Sequence, residues 1–185
     1  MTDMALNSLL SRYAECMMWL ARYMERMENL ARLLEVTETF VRDSEGQTAW
    51  DSIISINSDE ELFRTLRPAG QQADAVLFYL TERDNPGSVI SMAHAIRENA
   101  RAVRPLVSIE LWTQLNVFTR WLLDLTPQDI KPNSLSTLCT RIRLECQTPY
   151  CIAEGNLYRY QAWLIYRPGK HPERCDQTPR LDDNR

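Results

Sequence analysis

The chain has 185 residues, of which 44% are hydrophobic and 25% are charged. This length and balance predict one globular domain with a substantial core and argue against a disordered chain. The formal net charge of -4 gives no general attraction to nucleic acid or to an anionic membrane, since both require a positive field. A local group of arginines could still bind an anion.

Cysteine usage and the N-terminal segment both favour the cytoplasm. The five cysteines are odd in number and include no Cys-x-x-Cys pair, so we expect reduced thiols rather than a disulfide framework or a zinc ribbon. Charged residues interrupt the N-terminal segment, and no apolar run reaches the roughly 18–20 residues that a membrane span requires. We therefore expect a cytoplasmic protein with no membrane contact.

The first predicted element is a long amphipathic helix over about 7–42. This stretch contains no Gly or Pro, and its apolar residues recur at the helical spacing of three and four. The segment 44–47 then predicts the end of this helix. The buried stripe is expected to comprise Leu6, Leu10, Tyr13, Met17, Leu20, Met24, Met27, Ala31 and Leu34.

Further helices are expected along the rest of the chain, with Ser58 and Ser88 as candidate N-caps. No segment alternates with period two for long enough to predict a strand. The fold class is therefore all-α, a multi-helix bundle or array with a long N-terminal helix. The helices are predicted at about 49–56, 59–66, 71–81, 89–104, 109–125 and, after the 131–134 turn, up to about 146.

The C-terminal tail has a different composition. Residues 158–167 could form a helix, but the three prolines at Pro168, Pro172 and Pro179 exclude a regular helix beyond them. We expect a helical domain over 1–167 and an irregular or frayed tail over 168–185.

Carboxylates lie on the packed side of the first helix. At about 100° per residue, Glu28 falls only about 40° from Met24, and Glu25 and Arg32 lie beside Glu28 on one flank. An isolated carboxylate in an apolar interior is very costly, so Glu28 needs a hydrogen-bonding or cationic partner.

Arginines of the helix predicted at 89–104 are candidate partners. Arg97, Arg101 and Arg104 fall within about 60° of one another on its surface. Three interpretations stay open: interhelical salt bridges that fix the packing, a pocket that binds a charged small molecule or a peptide end, and a solvated face with neither role.

Evidence for catalysis is weak. Glu25 and Glu28 have i, i+3 spacing, but no Glu-x-x-His follows, and only two histidines are present. The ligand count predicts no metal site, and without a P-loop or GxGxxG sequence we expect no cofactor. An enzyme that uses Glu25 and Glu28 as an acid–base pair is an alternative to a non-catalytic role.

Three separated stretches share one resemblance. The first covers 10–34 and contains Glu25-Arg26 and Glu28-Asn29, the second comprises Asn85-Pro86 with 95–104, and the third is 108–116. In order and spacing, over about 9–178, they resemble the bacterial alpha-E domain family. The candidate binding residues in these stretches are Glu25, Arg26, Glu28, Asn29, Arg32, Arg97, Arg101, Arg104 and Glu110.

The resemblance also extends to the tail. Members of the family carry a second copy of the opening signature, and Glu173, Arg174 and Asp176 match the first-copy residues Glu25, Arg26 and Glu28. Typical members are longer than 185 residues, so the chain resembles an N-terminal portion or a truncated or C-terminally diverged member.

The resemblance implies an all-α fold and a biochemical context. Family members are commonly encoded with circularly permuted ATP-grasp proteins and transglutaminase-like proteins, which are the expected partners. The implied function is an accessory or ligand- or partner-binding domain in peptide or amide-bond synthesis or modification. The alternatives are an enzyme with paired glutamates and a structural remnant. Self-association through an uncovered apolar helix face is a further expectation.

Overall fold

The structure is a computed structural model that describes residues 2–44, 48–68, 70, 72–131 and 134–155. Those residues form seven α-helices, one short 3-10 helix at Pro127–Asp129 and no strand, which confirms the all-α prediction. The α-helices are α1 (Thr2–Ser44), α2 (Thr48–Ile56), α3 (Glu60–Leu66), α4 (Gln72–Leu80), α5 (Val89–Ala102), α6 (Ile109–Leu123) and α7 (Leu135–Gly155).

Four of the helices form a bundle. Helix α1 packs against α5 and α7, and α6 closes the ring by packing against the same two helices. Helices α2, α3 and α4 form a second group, in which α2 contacts α1, α3 and α4, and α4 also contacts α5. The second group therefore packs on the bundle through α1 and α5.

The apolar stripe of α1 supplies the centre of the core. From Met17 to Leu34 its predicted members are buried, and Met27, Ala31 and Leu34 are completely inaccessible to solvent. Leu10 lies further toward the N-terminus and is 55% exposed. The stripe predicted from sequence is therefore buried from Met17 onward, whereas Leu10 faces solvent.

The helix ends confirm some predicted signals and correct others. The side chain of Ser88 caps α5 by accepting the backbone N–H of Ser91 at 3.2 Å. Ser58 does not cap α3: it has a left-handed φ of 57°, and Asp59 occupies the N-cap position without a side-chain cap bond. The sequence pattern therefore placed the N-cap of α3 one residue too early.

Helix α7 is longer than predicted. It passes the expected end near Cys146, contains Pro149 in its interior and ends at Gly155. A proline inside a helix has no N–H to donate to the carbonyl four residues earlier. Because α7 lies along α1, packing outweighs this local cost.

Some predictions fall outside the described residues. These include the helix at 158–167 and the irregular tail at 168–185, so the predicted domain boundary stays a prediction. In the part of the chain that the structure describes, no helix has both the length and the apolar character to cross a membrane.

Candidate functional site

Glu28 joins α1 to α7. It is 4% exposed, and its Oε1 accepts a hydrogen bond from Gln147 Nε2 on α7 at 2.9 Å. Arg32, one turn further along α1, donates to the same oxygen at 3.1 Å. The carboxylate therefore has the cationic and hydrogen-bonding partners that its burial requires.

Glu35 makes the second polar contact between these helices. Thr140 Oγ1 donates to its Oε1 at 2.9 Å, and Arg143 Nη1 forms an ion pair with its Oε2. Moving from Glu28 to Glu35 along α1 corresponds to moving backward from Gln147 to Thr140 along α7. The two helices are therefore antiparallel, and these polar contacts favour one alignment between them.

Cys139 lies beside the Glu35 contact and is fully buried. Burial raises the pKa of its thiol to about 12, and the negative charges of Glu35 and Glu38 act in the same direction, while Arg143 opposes them. Since the thiolate is the nucleophilic form of cysteine, Cys139 is an inert core residue at neutral pH.

The Glu25-Arg26 pair precedes these contacts on α1. Glu25 is 2% exposed, whereas Arg26 and Asn29 are half-buried. Glu25 and Arg26 each take part in an interaction with the rest of the chain. The signature is therefore embedded at the edge of the helix packing and is not a set of solvated side chains.

The candidate arginines Arg97, Arg101 and Arg104, which we call the arginine face, do not bind Glu28. Helix α5 buries apolar residues and leaves Arg97 and Arg101 exposed. Arg101 contacts Glu98 at 3.3 Å, and Arg104, in the turn after α5, lies 5.3 Å from the ring centre of Trp112. The interhelical ion pairs expected for Glu28 are replaced by its contacts with Arg32 and Gln147.

The candidate Glu110 lies apart from the α1–α7 contacts. It is exposed in the first turn of α6, immediately after the N-cap residue Ser108. An acidic residue at this position is favoured by the helix dipole, which gives Glu110 a local structural role.

The Asn85–Ser88 turn has a structural role. Asn85 is 1% exposed, its Nδ2 donates to the carbonyl of Phe78 at 3.1 Å, and its Oδ1 accepts the N–H of Gly87 at 2.8 Å. Asn85 thus ties the end of α4 to the turn that begins α5. These bonds position the start of α5.

Other predicted features are either outside the described residues or lack a ligand set. The second-copy residues lie outside the described residues; they are Glu173, Arg174 and Asp176. Among the described residues, no group of three or more His, Cys, Asp or Glu side chains could hold a metal ion.

The partners that α7 supplies to Glu28 and Glu35 were not among the predicted site residues. Thr140, Arg143 and Gln147 recur at i, i+3 and i+7, the spacing of one helix face, and this pattern was a usable signal. Two further arginine–tryptophan contacts were not predicted either. The guanidinium carbon of Arg22 lies 4.7 Å from the ring centre of Trp19, and that of Arg141 lies 3.8 Å from the ring centre of Trp121.

These features define an all-α bundle protein whose first helix carries buried glutamates. The Alpha-E family, described as a predicted alpha-helical domain with a conserved ER motif, matches residues 9–185. The chain therefore belongs to the Alpha-E family. Glu-Arg occurs within this match at Glu25-Arg26, and also at 82–83 and 173–174. No curated protein and no solved structure matches the chain.

Proposed function

We propose that the chain is a non-catalytic accessory domain that binds a partner protein or a charged peptide-like ligand. Its setting is a bacterial, cytoplasmic, ATP-grasp-linked system for peptide or amide-bond synthesis or modification. Membership in the Alpha-E family supports this setting through the resemblance to proteins encoded with circularly permuted ATP-grasp and transglutaminase-like proteins. The candidate partners are proteins of these two classes.

The observation that carries the proposal is the engagement of Glu28. Arg32 and Gln147 both donate to one of its carboxylate oxygens, and Gln147 belongs to another helix. A general acid or base must also be within hydrogen-bond reach of its substrate, whereas Glu28 is only 4% exposed. A carboxylate held in this way supports a packing role for Glu28 and weighs against an acid–base pair with Glu25.

The test is association between the full chain and the ATP-grasp protein encoded beside it. The two proteins are co-expressed, one is affinity-tagged, and the eluate is separated by size exclusion. We expect a stable complex, and we expect Glu28→Gln to leave both the complex and any amide-bond activity within a few-fold of the parent.

Two results would contradict the proposal. One is the absence of a complex with both the ATP-grasp protein and the transglutaminase-like protein. The other is amide-bond activity of the chain alone that Glu28→Gln lowers by about a hundredfold or more while the thermal melt is unchanged, since that loss is typical of a removed acid or base.

A further inference from the structure

The arginine face carries positive charge that the carboxylates of the fold neutralise only weakly. Arg97 has no ion-pair partner among the described residues. Arg101 meets Glu98, but their side chains are 64% and 68% exposed. A solvent-exposed pair of this kind contributes about 0–1 kcal/mol, so an incoming carboxylate can replace Glu98 at little cost.

Arg104 is held in position by an aromatic ring. Its guanidinium carbon lies 5.3 Å from the ring centre of Trp112, the distance of a cation–π contact. This contact uses the positive charge and no N–H hydrogen bond, so the N–H groups of Arg104 can donate to a carboxylate. Trp112 therefore limits the freedom of Arg104 without satisfying its hydrogen-bonding capacity.

The spacing of the three arginines selects the shape of a ligand. Arg97 and Arg101 lie about one turn apart on α5, about 6 Å along its axis at about 1.5 Å per residue, and Arg104 follows in the turn after the helix. The Arg97–Arg101 spacing matches carboxylates one turn apart on a helix or at alternate positions of a short extended peptide, and a third carboxylate one turn further along can contact Arg104.

The net charge of the chain favours one chemical class of ligand for the arginine face. With a net charge of -4, the chain as a whole repels a long polyanion, whereas a short acidic segment needs to contact only the arginines. We infer that the arginine face is the docking surface for an acidic segment of a polypeptide partner. This inference rests on the proposed partner-binding function and assigns that function a surface and a ligand class.

The test measures binding of a fluorescein-labelled synthetic helical peptide with glutamates at i, i+4 and i+7 to the full chain by anisotropy. We expect binding at low ionic strength that weakens as salt shortens the range of electrostatic attraction. The double variant Arg97→Glu, Arg101→Glu should bind about tenfold or more weakly, because like charges now face each other. Glu98→Gln should bind a few-fold more tightly, since it removes the competing carboxylate.

The matched control is Arg64→Glu, a charge reversal at an exposed position of α3, which should leave peptide binding unchanged. Unchanged peptide binding in the arginine-face double variant would overturn the inference. The inference would also be overturned if a single-stranded oligonucleotide or phosphatidylserine vesicles bound as tightly as the peptide and the double variant weakened that binding. The surface would then recognise anions in general.

The co-expressed complex separates this inference from the proposed function. A complex with the ATP-grasp protein that survives the double reversal keeps the proposed function and overturns the docking surface. Peptide binding that the double variant weakens, together with no complex with the ATP-grasp protein, supports the docking surface and contradicts the proposed partner.

Discussion

At Glu28 the Alpha-E signature coincides with the packing of the bundle. We expect Glu28→Ala to lower the free energy of unfolding by about 2–3 kcal/mol, because it opens a cavity at a 4% exposed site and leaves the Gln147 amide without its acceptor. Arg32 is 54% exposed and returns to water at little cost. Glu28→Leu refills the volume and should cost less, about 1 kcal/mol. Urea unfolding at neutral pH measures both values.

Glu15→Ala is the control for these variants. Glu15 is exposed on the same helix, so its loss should change stability by no more than about 0.5 kcal/mol. Equal stability of Glu28→Ala and the parent would show that the contact with α7 does not contribute to the fold.

We expect the protein to lose stability in alkaline solution because the Cys139 thiol is buried. Burial raises the pKa of its thiol from about 9 to about 12, so the unfolded chain loses this proton first. The stability that the protonated, buried thiol contributes is fully present below about pH 9 and is lost as the pH rises toward about 12. We expect the free energy of unfolding to fall by up to about 1.4 kcal/mol per pH unit from this residue. Denaturant unfolding between pH 8 and about 10 measures the slope.

Cys139→Ala should make the alkaline slope shallower, whatever its effect on stability at neutral pH. Cys151→Ala, at an exposed position of the same helix, should leave the slope unchanged. Burial and the charge of Asp59 also raise the pKa of Tyr79, which adds a loss of the same sign above about pH 10. Identical slopes for Cys139→Ala and the parent at about pH 9–10 would contradict the assignment.

At the scale of elements, Asn85 determines how α4 leads into α5. Its buried amide donates to the Phe78 carbonyl and accepts the N–H of Gly87. Asn85→Ala leaves both backbone groups without these bonds, and we expect a loss of about 2–3 kcal/mol in thermal or urea unfolding. The control Ser55→Ala, at an exposed position in α2, should be neutral within about 0.5 kcal/mol. A loss as small as the control's would show that the turn forms without the amide.

The elements differ in how well the sequence predicted them. Helix α1 was predicted well because its stripe is long and periodic, and Ser88 was recognised because an N-cap is a local signal. The far end of α7 was missed, since Pro149 signals a local break that packing against α1 overrides. The partner of Glu28 was also missed. Gln147 is 119 positions away, and local patterns do not identify which distant side chain a buried carboxylate meets.

At the scale of the whole molecule, α3 is packed less deeply than the other described α-helices. Helix α1 buries a continuous stripe against its neighbours, whereas α3 has no buried residue. Helix α3 contacts the core through half-buried apolar side chains such as Phe63, whose ring lies 5.2 Å from that of Phe78. At its start, Asp59 accepts a hydrogen bond from the Tyr79 hydroxyl at 3.0 Å. Among the described α-helices, α3 is therefore the one held to the core by the least buried surface.

This difference predicts the order of amide hydrogen exchange. We expect amides of α3 to exchange at least about tenfold faster than those of α1 between Leu20 and Leu34, because α3 can detach with little loss of buried apolar contact. Tyr79→Phe removes the bond to Asp59 and should speed exchange in α3 by about fivefold, the effect of roughly 1 kcal/mol. Tyr23→Phe, a matched change on α1, should leave α3 unaffected. Mass spectrometry of peptic fragments measures these rates, and equal protection of α3 and α1 would show that both groups unfold as one cooperative unit.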